Sequence, residues 1–252
     1  MKFWLVLGAT LALAGPGMVG AAAATNAPPA NGQTDPFFNT NQPVSAPKPV
    51  VLSPGMRALL NQARQALASN DYETAAARYD AVLAEHPQSL IALTNLGVTR
   101  YQQGRLDAAE TVLQKTIAIA PGDSSAWSLL GAIHFRQGKL GIALEELTRA
   151  IALDPRNAEA HNFLGIALSE KGQPAAAEQE VRRALELNPD YADAHLNLAV
   201  LYAHQQPPLR ELARYHYQKA LALGSPPDAD LAARLQPPGN AVPPRTKTPV
   251  AP

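Results

Sequence analysis

Pro87, Pro121, Pro155 and Pro189 stand 34 residues apart along the chain. No other feature constrains the fold as tightly. A repeat of this size cannot bury its apolar face alone and must stack on its neighbours, and 34 residues is the length of a helix–turn–helix pair. The result is a quasi-linear stack, and the extended surface of such a stack suits interaction rather than catalysis.

With the proline at position 32, repeats begin at Met56, Leu90, Ser124, Ala158 and Ala192. Position 7 is Leu96, Leu130, Leu164 and Leu198, and position 8 is Gly97, Gly131 and Gly165. Position 15 is Asn70, Gly104, Gly138 and Gly172. Ala75, Ala109, Ala143 and Ala177 hold position 20, with Tyr79, Leu113, Leu147 and Val181 at position 24. Position 15 closes the first helix in the left-handed conformation, which glycine and asparagine adopt cheaply. Positions 8 and 20 are small where the two helices of a pair cross, and positions 7 and 24 fill the space between. The proline ends the second helix by excluding the residue before it from helical geometry.

The pattern resembles the tetratricopeptide repeat. That family carries an aromatic at 4, Leu-Gly at 7–8, Ala at 20 and Pro at 32. Trp127, Leu130, Gly131, Ala143, Ala150 and Pro155 match it in one repeat; Leu164, Gly165, Ala177, Ala184 and Pro189 match it in the next. The resemblance implies an all-α, right-handed α-solenoid of about five repeats: 56–89, 90–123, 124–157, 158–191 and 192–225. The first repeat departs from the pattern with Gln62-Ala63, as end repeats do. In the last, Gln205-Gln206-Pro207-Pro208 replaces the glycine turn, so its second helix, Leu209–Leu223, is expected to splay from the first. Asp228–Leu235 is expected to add a short capping helix.

The ends read differently. Lys2, the apolar stretch Phe3–Ala14 and the small residues Ala21–Ala24 have the layout of a secretory signal peptide spanning 1–24. An uncleaved anchor in the inner membrane is the alternative. Residues 25–55 are rich in Pro, Asn, Gln and Ala and read as a disordered linker, as does the proline-rich tail within 226–252. The chain has no cysteine, which excludes disulfides, thiolate metal sites and a lipid-anchored start. Net charge is zero, and no basic stripe points to nucleic acid.

A search for chemistry finds no phosphate-cradling glycine loop, no Gly-x-Ser-x-Gly elbow and no His-Glu-x-x-His. No enzyme activity, cofactor or metal is expected. His161 and His195, at position 4 of adjacent repeats, allow a two-histidine metal site, but the better account is that they replace the packing aromatic seen as Trp127. His134 likewise takes the place of the family's tyrosine. Glu145, Glu146, Glu178 and Glu180 read as a solvated outer face.

The resemblance implies that first helices line a concave groove and that residues on them bind a protein or peptide. Carried over position by position, that face offers Asn61, Arg64, Asn95, Tyr101, Phe135, Arg136, Asn162, Phe163 and Asn197. Asparagine amides suit pairing with an extended main chain, and the aromatics would serve as anchors. The groove grades from basic (Arg57, Arg64) to acidic (Glu159, Glu170, Asp193). The expected function is a periplasmic or secreted scaffold that binds a partner during assembly of a cell-envelope complex. A self-associating module is the alternative.

Overall fold

In a computed structural model, which describes residues 53–236, the chain folds into helices joined by short turns, with no strand among the described residues. Five antiparallel pairs follow one another: α1 (Pro54–Ala68) with α2 (Tyr72–Glu85), α3 (Leu90–Gln102) with α4 (Leu106–Ile119), and α5 (Ser124–Arg136) with α6 (Leu140–Leu153). The series ends with α7 (Ala158–Glu170) and α8 (Pro174–Leu187), then α9 (Ala192–His204) and α10 (Arg210–Ala222). A short α11 (Ala229–Arg234) follows. The expected signal segment, most of the linker and the tail beyond 236 lie outside the described residues.

The linker expected to run to residue 55 gives way sooner. The Ser53 side chain accepts a hydrogen bond from the Met56 amide at 3.1 Å, and Pro54 occupies the first helical position. Serine at the cap and proline just inside are the strongest start signals a helix has.

Each pair closes as its sequence requires. Asn70, Gly104, Gly138 and Gly172 have φ of 60°, 72°, 77° and 81°. Around Gly104 the turn is sealed by its own N–H to Tyr101 O and by Arg105 N–H to Arg100 O, both at 2.9 Å. Asp123 and Asn157 cap α5 and α7 by accepting from Ala126 and Ala160. The crossing glycines leave no room for a side chain. A Cβ on Gly131 would lie 2.6 Å from Leu147 Cγ, and one on Gly97 2.8 Å from Leu113 Cδ2. Position 8 therefore meets position 24 of its own repeat.

Position 4 has an unexpected regularity. Trp127 donates its ring N–H to Pro121 O at 2.8 Å; the Nε2 atoms of His161 and His195 lie 3.2 and 3.0 Å from Pro155 O and Pro189 O. Each ring thus ties its helix to the proline that closes the preceding repeat.

The fifth pair is not splayed. Leu209 N–H reaches back to Tyr202 O at 3.0 Å, and Ala213, Tyr217 and Ala220 are buried against the stack. The proline-bearing turn is longer than the glycine turn, yet this single bond returns the chain to the same packing. α11 covers the end through buried Leu231 and Leu235, and the Tyr217 hydroxyl bonds both backbone groups of Asp228.

Curvature follows from which helices meet. α3 touches α5, α5 touches α7, and α7 touches α9, whereas the second helices pack on their neighbours in sequence. The first helices form the compressed, concave side. There α9 buries every residue from Asp193 to Tyr202, while α10 buries only Ala213, Tyr217 and Ala220.

Candidate functional site

The first helices carry all nine residues singled out from the sequence, but in different surroundings. Asn61 and Arg64 are exposed on α1. Asn95 is half-buried and donates its amide to Ile91 O of its own helix at 2.7 Å. Phe135 is half-buried and Phe163 buried, both packed into the apolar core. Arg136 is exposed; its guanidinium carbon lies 4.8 Å from the centre of the Tyr101 ring, and Nη1 is 3.4 Å from Tyr101 O. Cation and ring thereby join α5 to α3 on the concave side.

Asn162 and Asn197 come together. Both are fully buried, and Asn197 donates to Asn162 Oδ1 at 2.9 Å across the α7–α9 seam. Asn162 in turn faces the Tyr191 hydroxyl at 3.4 Å. Their amides join one repeat to the next, and Asn197 Oδ1 is left without a partner.

Beside this seam lie groups that the sequence placed only at the acidic end of a gradient. Glu159 and Asp193 occupy position 2 of α7 and α9, and the Asp193 charge acts on the Glu159 carboxyl. Burial pushes the Glu159 carboxyl up to about 7, with Asp193 adding to the rise. Burial alone pushes Asp193 up to about 6. The Tyr191 phenol is held well above its ordinary range by burial, then by these two carboxylates. Tyr101, from α3, is 2 % exposed; burial raises its pKa, the Arg136 guanidinium opposes the rise, and Asp193 adds a smaller increase. The first helices of the last two repeats therefore carry an acid each at position 2, while Arg136 supplies a cation over Tyr101 in the middle of the stack. The sequence signal was acid at position 2 in two successive repeats; its burial could not be read without the superhelical geometry.

The outer acids are not a plain solvated face. Glu146 lies 2.7 Å from His134 Nδ1 and Glu180 lies 2.6 Å from His161 Nδ1. Glu178 accepts from the Tyr202 hydroxyl and the Gln205 amide. Long carboxylate side chains reach from second helices to polar groups at position 4 or 11, which converts much of the row into tertiary links. His161 and His195 are not paired with each other: His195 Nδ1 meets His216 Nδ1 at 2.9 Å. Among the described residues no group of three or more His, Cys, Asp or Glu side chains is arranged to hold a metal. A cleft of about 590 Å³ lies where α7 and α8 meet the end of α9, lined by Ser169, Pro174, Glu178, Val200 and His204 among others.

Family models described as tetratricopeptide repeat match residues 66–133 and 164–229, and a model described as TPR repeat matches 131–172. Together they run from α1 to the start of α11. Among solved structures, the chain is similar to TTC0263, a thermophilic TPR protein of Thermus thermophilus. That pair is 27 % identical with a TM-score of 0.61, covering 71 % of this chain and 96 % of the other. The pilF protein of Pseudomonas aeruginosa is 22 % identical with a TM-score of 0.58, over 71 % and 82 % of the two chains. MamA of Desulfovibrio magneticus RS-1 is 20 % identical with a TM-score of 0.52, over 68 % and 96 %. The last two identities speak for the fold alone. No curated protein sequence matches significantly.

Proposed function

Because the chain belongs to the tetratricopeptide repeat family, whose domains are protein-interaction modules, we propose that it is a non-enzymatic scaffold. It binds a peptide segment or partner protein on its concave face, through residues among the nine on its first helices. The observation that carries this reading is the row of touching first helices, α3, α5, α7 and α9, which gathers Tyr101, Arg136 and the Asn162–Asn197 pair along one side. Of the nine residues, exposed Asn61, Arg64 and Arg136 and half-buried Asn95 and Phe135 are the ones such a curved face presents to an extended ligand.

The setting we infer is the bacterial cell envelope, with export directed by the segment ending near Ala24 and a role in assembling an envelope complex. What supports it is the positive, apolar and small-residue order of that segment. Two measurements test these readings. Capture of envelope proteins by wild type is compared with capture by Arg64→Glu/Arg136→Glu, two exposed changes on first helices. A partner kept by wild type and lost by the variant supports the concave face; equal retention places binding elsewhere. N-terminal sequencing of the chain from fractionated cells then distinguishes cleaved export from an uncleaved anchor.

Self-association is a second reading with its own observation. Leu212 and Tyr215 of α10 are 46 % and 53 % exposed, with Leu209 beside them at 39 %. An apolar strip at one end of a stack suits pairing with a second copy. A single monomeric mass by light scattering across a wide concentration range would exclude it.

A further inference from the structure

Nine large apolar side chains stay exposed among the described residues, and five of them belong to α10 or its two caps: Leu209, Leu212, Tyr215, Leu221 and Leu223. The other second helices are built differently at matching places. The residue at the start cap is Asp71, Arg105, Lys139 and Gln173 in the first four repeats, and Leu209 in the fifth. Six residues further on stand exposed Ala77, Thr111, Glu145 and Gln179, and then exposed Tyr215. Apolar area that faces water adds nothing to the fold of one chain. An apolar patch rimmed by charge marks a contact surface.

The charges frame this strip evenly. Glu211 stands four residues before Tyr215 and Lys219 four after it, so the three follow one side of α10. The Glu211 side chain is 85 % exposed, and Lys219 is exposed as well. Arg214 donates to both Glu211 oxygens through one nitrogen, at 2.8 and 2.7 Å. A carboxylate has about four acceptor sites, so others stay open. Glu211 lies in the first turn and Lys219 in the last, an order that suits the helix dipole. The dipole accounts for each charge singly, but not for their equal spacing about an exposed ring.

We propose that α10 is the contact of a two-fold dimer, packed antiparallel on α10 of a second copy of this chain. An axis beside Tyr215 sets the two Tyr215 rings together, with Leu212 beside them. It also brings Glu211 of each copy against Lys219 of the other. A parallel pair would instead set like charges opposite each other, which disfavours that order. Such a contact uses one patch twice and closes at two copies. The inference rests on the self-association reading and gives it a surface, a symmetry and a register. Because α10 is a second helix, the concave side of both copies stays open.

The test is sedimentation equilibrium of the full chain as wild type, as Glu211→Lys, as Lys219→Glu and as an equal mixture of the two variants. Wild type is expected to dimerise. Each variant alone meets like charge at both ends of the contact and is expected to pair more weakly by at least on the order of tenfold. In the mixture one variant supplies only cations and the other only anions. Both attractions return, and affinity near that of wild type is expected. Both positions are exposed, so the circular dichroism of each variant is expected to match wild type, and recovery on mixing itself requires two folded partners. A dimer that both variants leave unchanged, or a mixture no tighter than its parts, would overturn the Tyr215 register and leave self-association standing. Wild-type assemblies that grow beyond two copies would overturn the two-fold contact. A wild type that stays monomeric would remove the inference together with the reading it rests on.

Discussion

Asn197 donates its side-chain amide to Asn162 Oδ1 at 2.9 Å, linking α9 to α7 inside the stack. Removing the acceptor leaves a fully buried N–H with nothing to bond. Asn162→Ala is therefore expected to destabilise the fold by about 1–3 kcal/mol. Asn95 bonds only to Ile91 O of its own helix and is half-buried, so Asn95→Ala is expected to stay within about 0.5 kcal/mol. Urea midpoints of the two variants check this; equal losses would mean the inter-repeat bond carries no special weight.

The glycines divide into two kinds, and alanine separates them. At Gly131 an added Cβ would meet Leu147 Cγ at 2.6 Å and Ala143 O at 3.2 Å. The backbone oxygen cannot swing away, so Gly131→Ala is expected to cost about 1–3 kcal/mol through overpacking. Gly138 has nothing within 4 Å of such a Cβ, but its φ is 77°. Gly138→Ala is expected to cost about 1–2 kcal/mol from backbone strain alone. A larger residue sharpens the contrast: Gly131→Leu is expected to lose several kcal/mol more, while Gly138→Leu changes little beyond its alanine value. Thermal and urea unfolding of the four variants reads this directly.

The period, the left-handed residues and the crossing glycines were all legible because each is a local demand on one residue type. Asn70 at φ 60° sits where three other repeats use glycine, and the sequence alone placed it there. The burial of Asp193 and the half-burial of Glu159 were not legible in the same way. Position 2 faces solvent on an isolated pair and becomes enclosed only when the stack curves. The roles of Glu146, Glu178 and Glu180 depend likewise on which ring or hydroxyl a neighbouring helix presents. The fifth pair misled for another reason. Four irregular residues looked like a break in packing, yet Leu209 N–H to Tyr202 O restores the pair at the first chance.

His161 is bonded on both ring nitrogens, at 2.6 Å to Glu180 and 3.2 Å to Pro155 O. His161→Phe keeps the aromatic packing and deletes both links, so a loss of about 1–3 kcal/mol is expected. His195, bonded to Pro189 O and His216, is expected to behave alike as His195→Phe. If these rings are structural pins, zinc or a chelator leaves the melting temperature of wild type unchanged. A melting temperature raised by zinc in wild type but not in His161→Phe would restore the two-histidine metal site.

The two position-2 acids set an unusual pH dependence. Glu159 and Asp193 have folded pKa values of about 7 and about 6, both raised by burial above ordinary carboxylate values. Raised acids bind protons more tightly folded than unfolded, so their contribution to stability is complete below about pH 4 and is lost as pH rises through 6 to 7. His216 works in the other direction. Burial and then His195 lower it to about 4, so its contribution is present above about pH 6.5 and fades as pH falls toward 4. In wild type the two trends offset each other between pH 5 and 7, and stability declines toward pH 8 relative to a chain without the acids. Asp193→Asn removes one side of the balance. At about 1.4 kcal/mol per pKa unit, it is expected to raise stability at pH 8 by about 1–3 kcal/mol and to leave it nearly unchanged at pH 4. Urea midpoints of wild type and Asp193→Asn from pH 4 to 8 check the sign: a variant less stable than wild type at pH 8 would mean that the folded protein holds this carboxylate as a favourable anion.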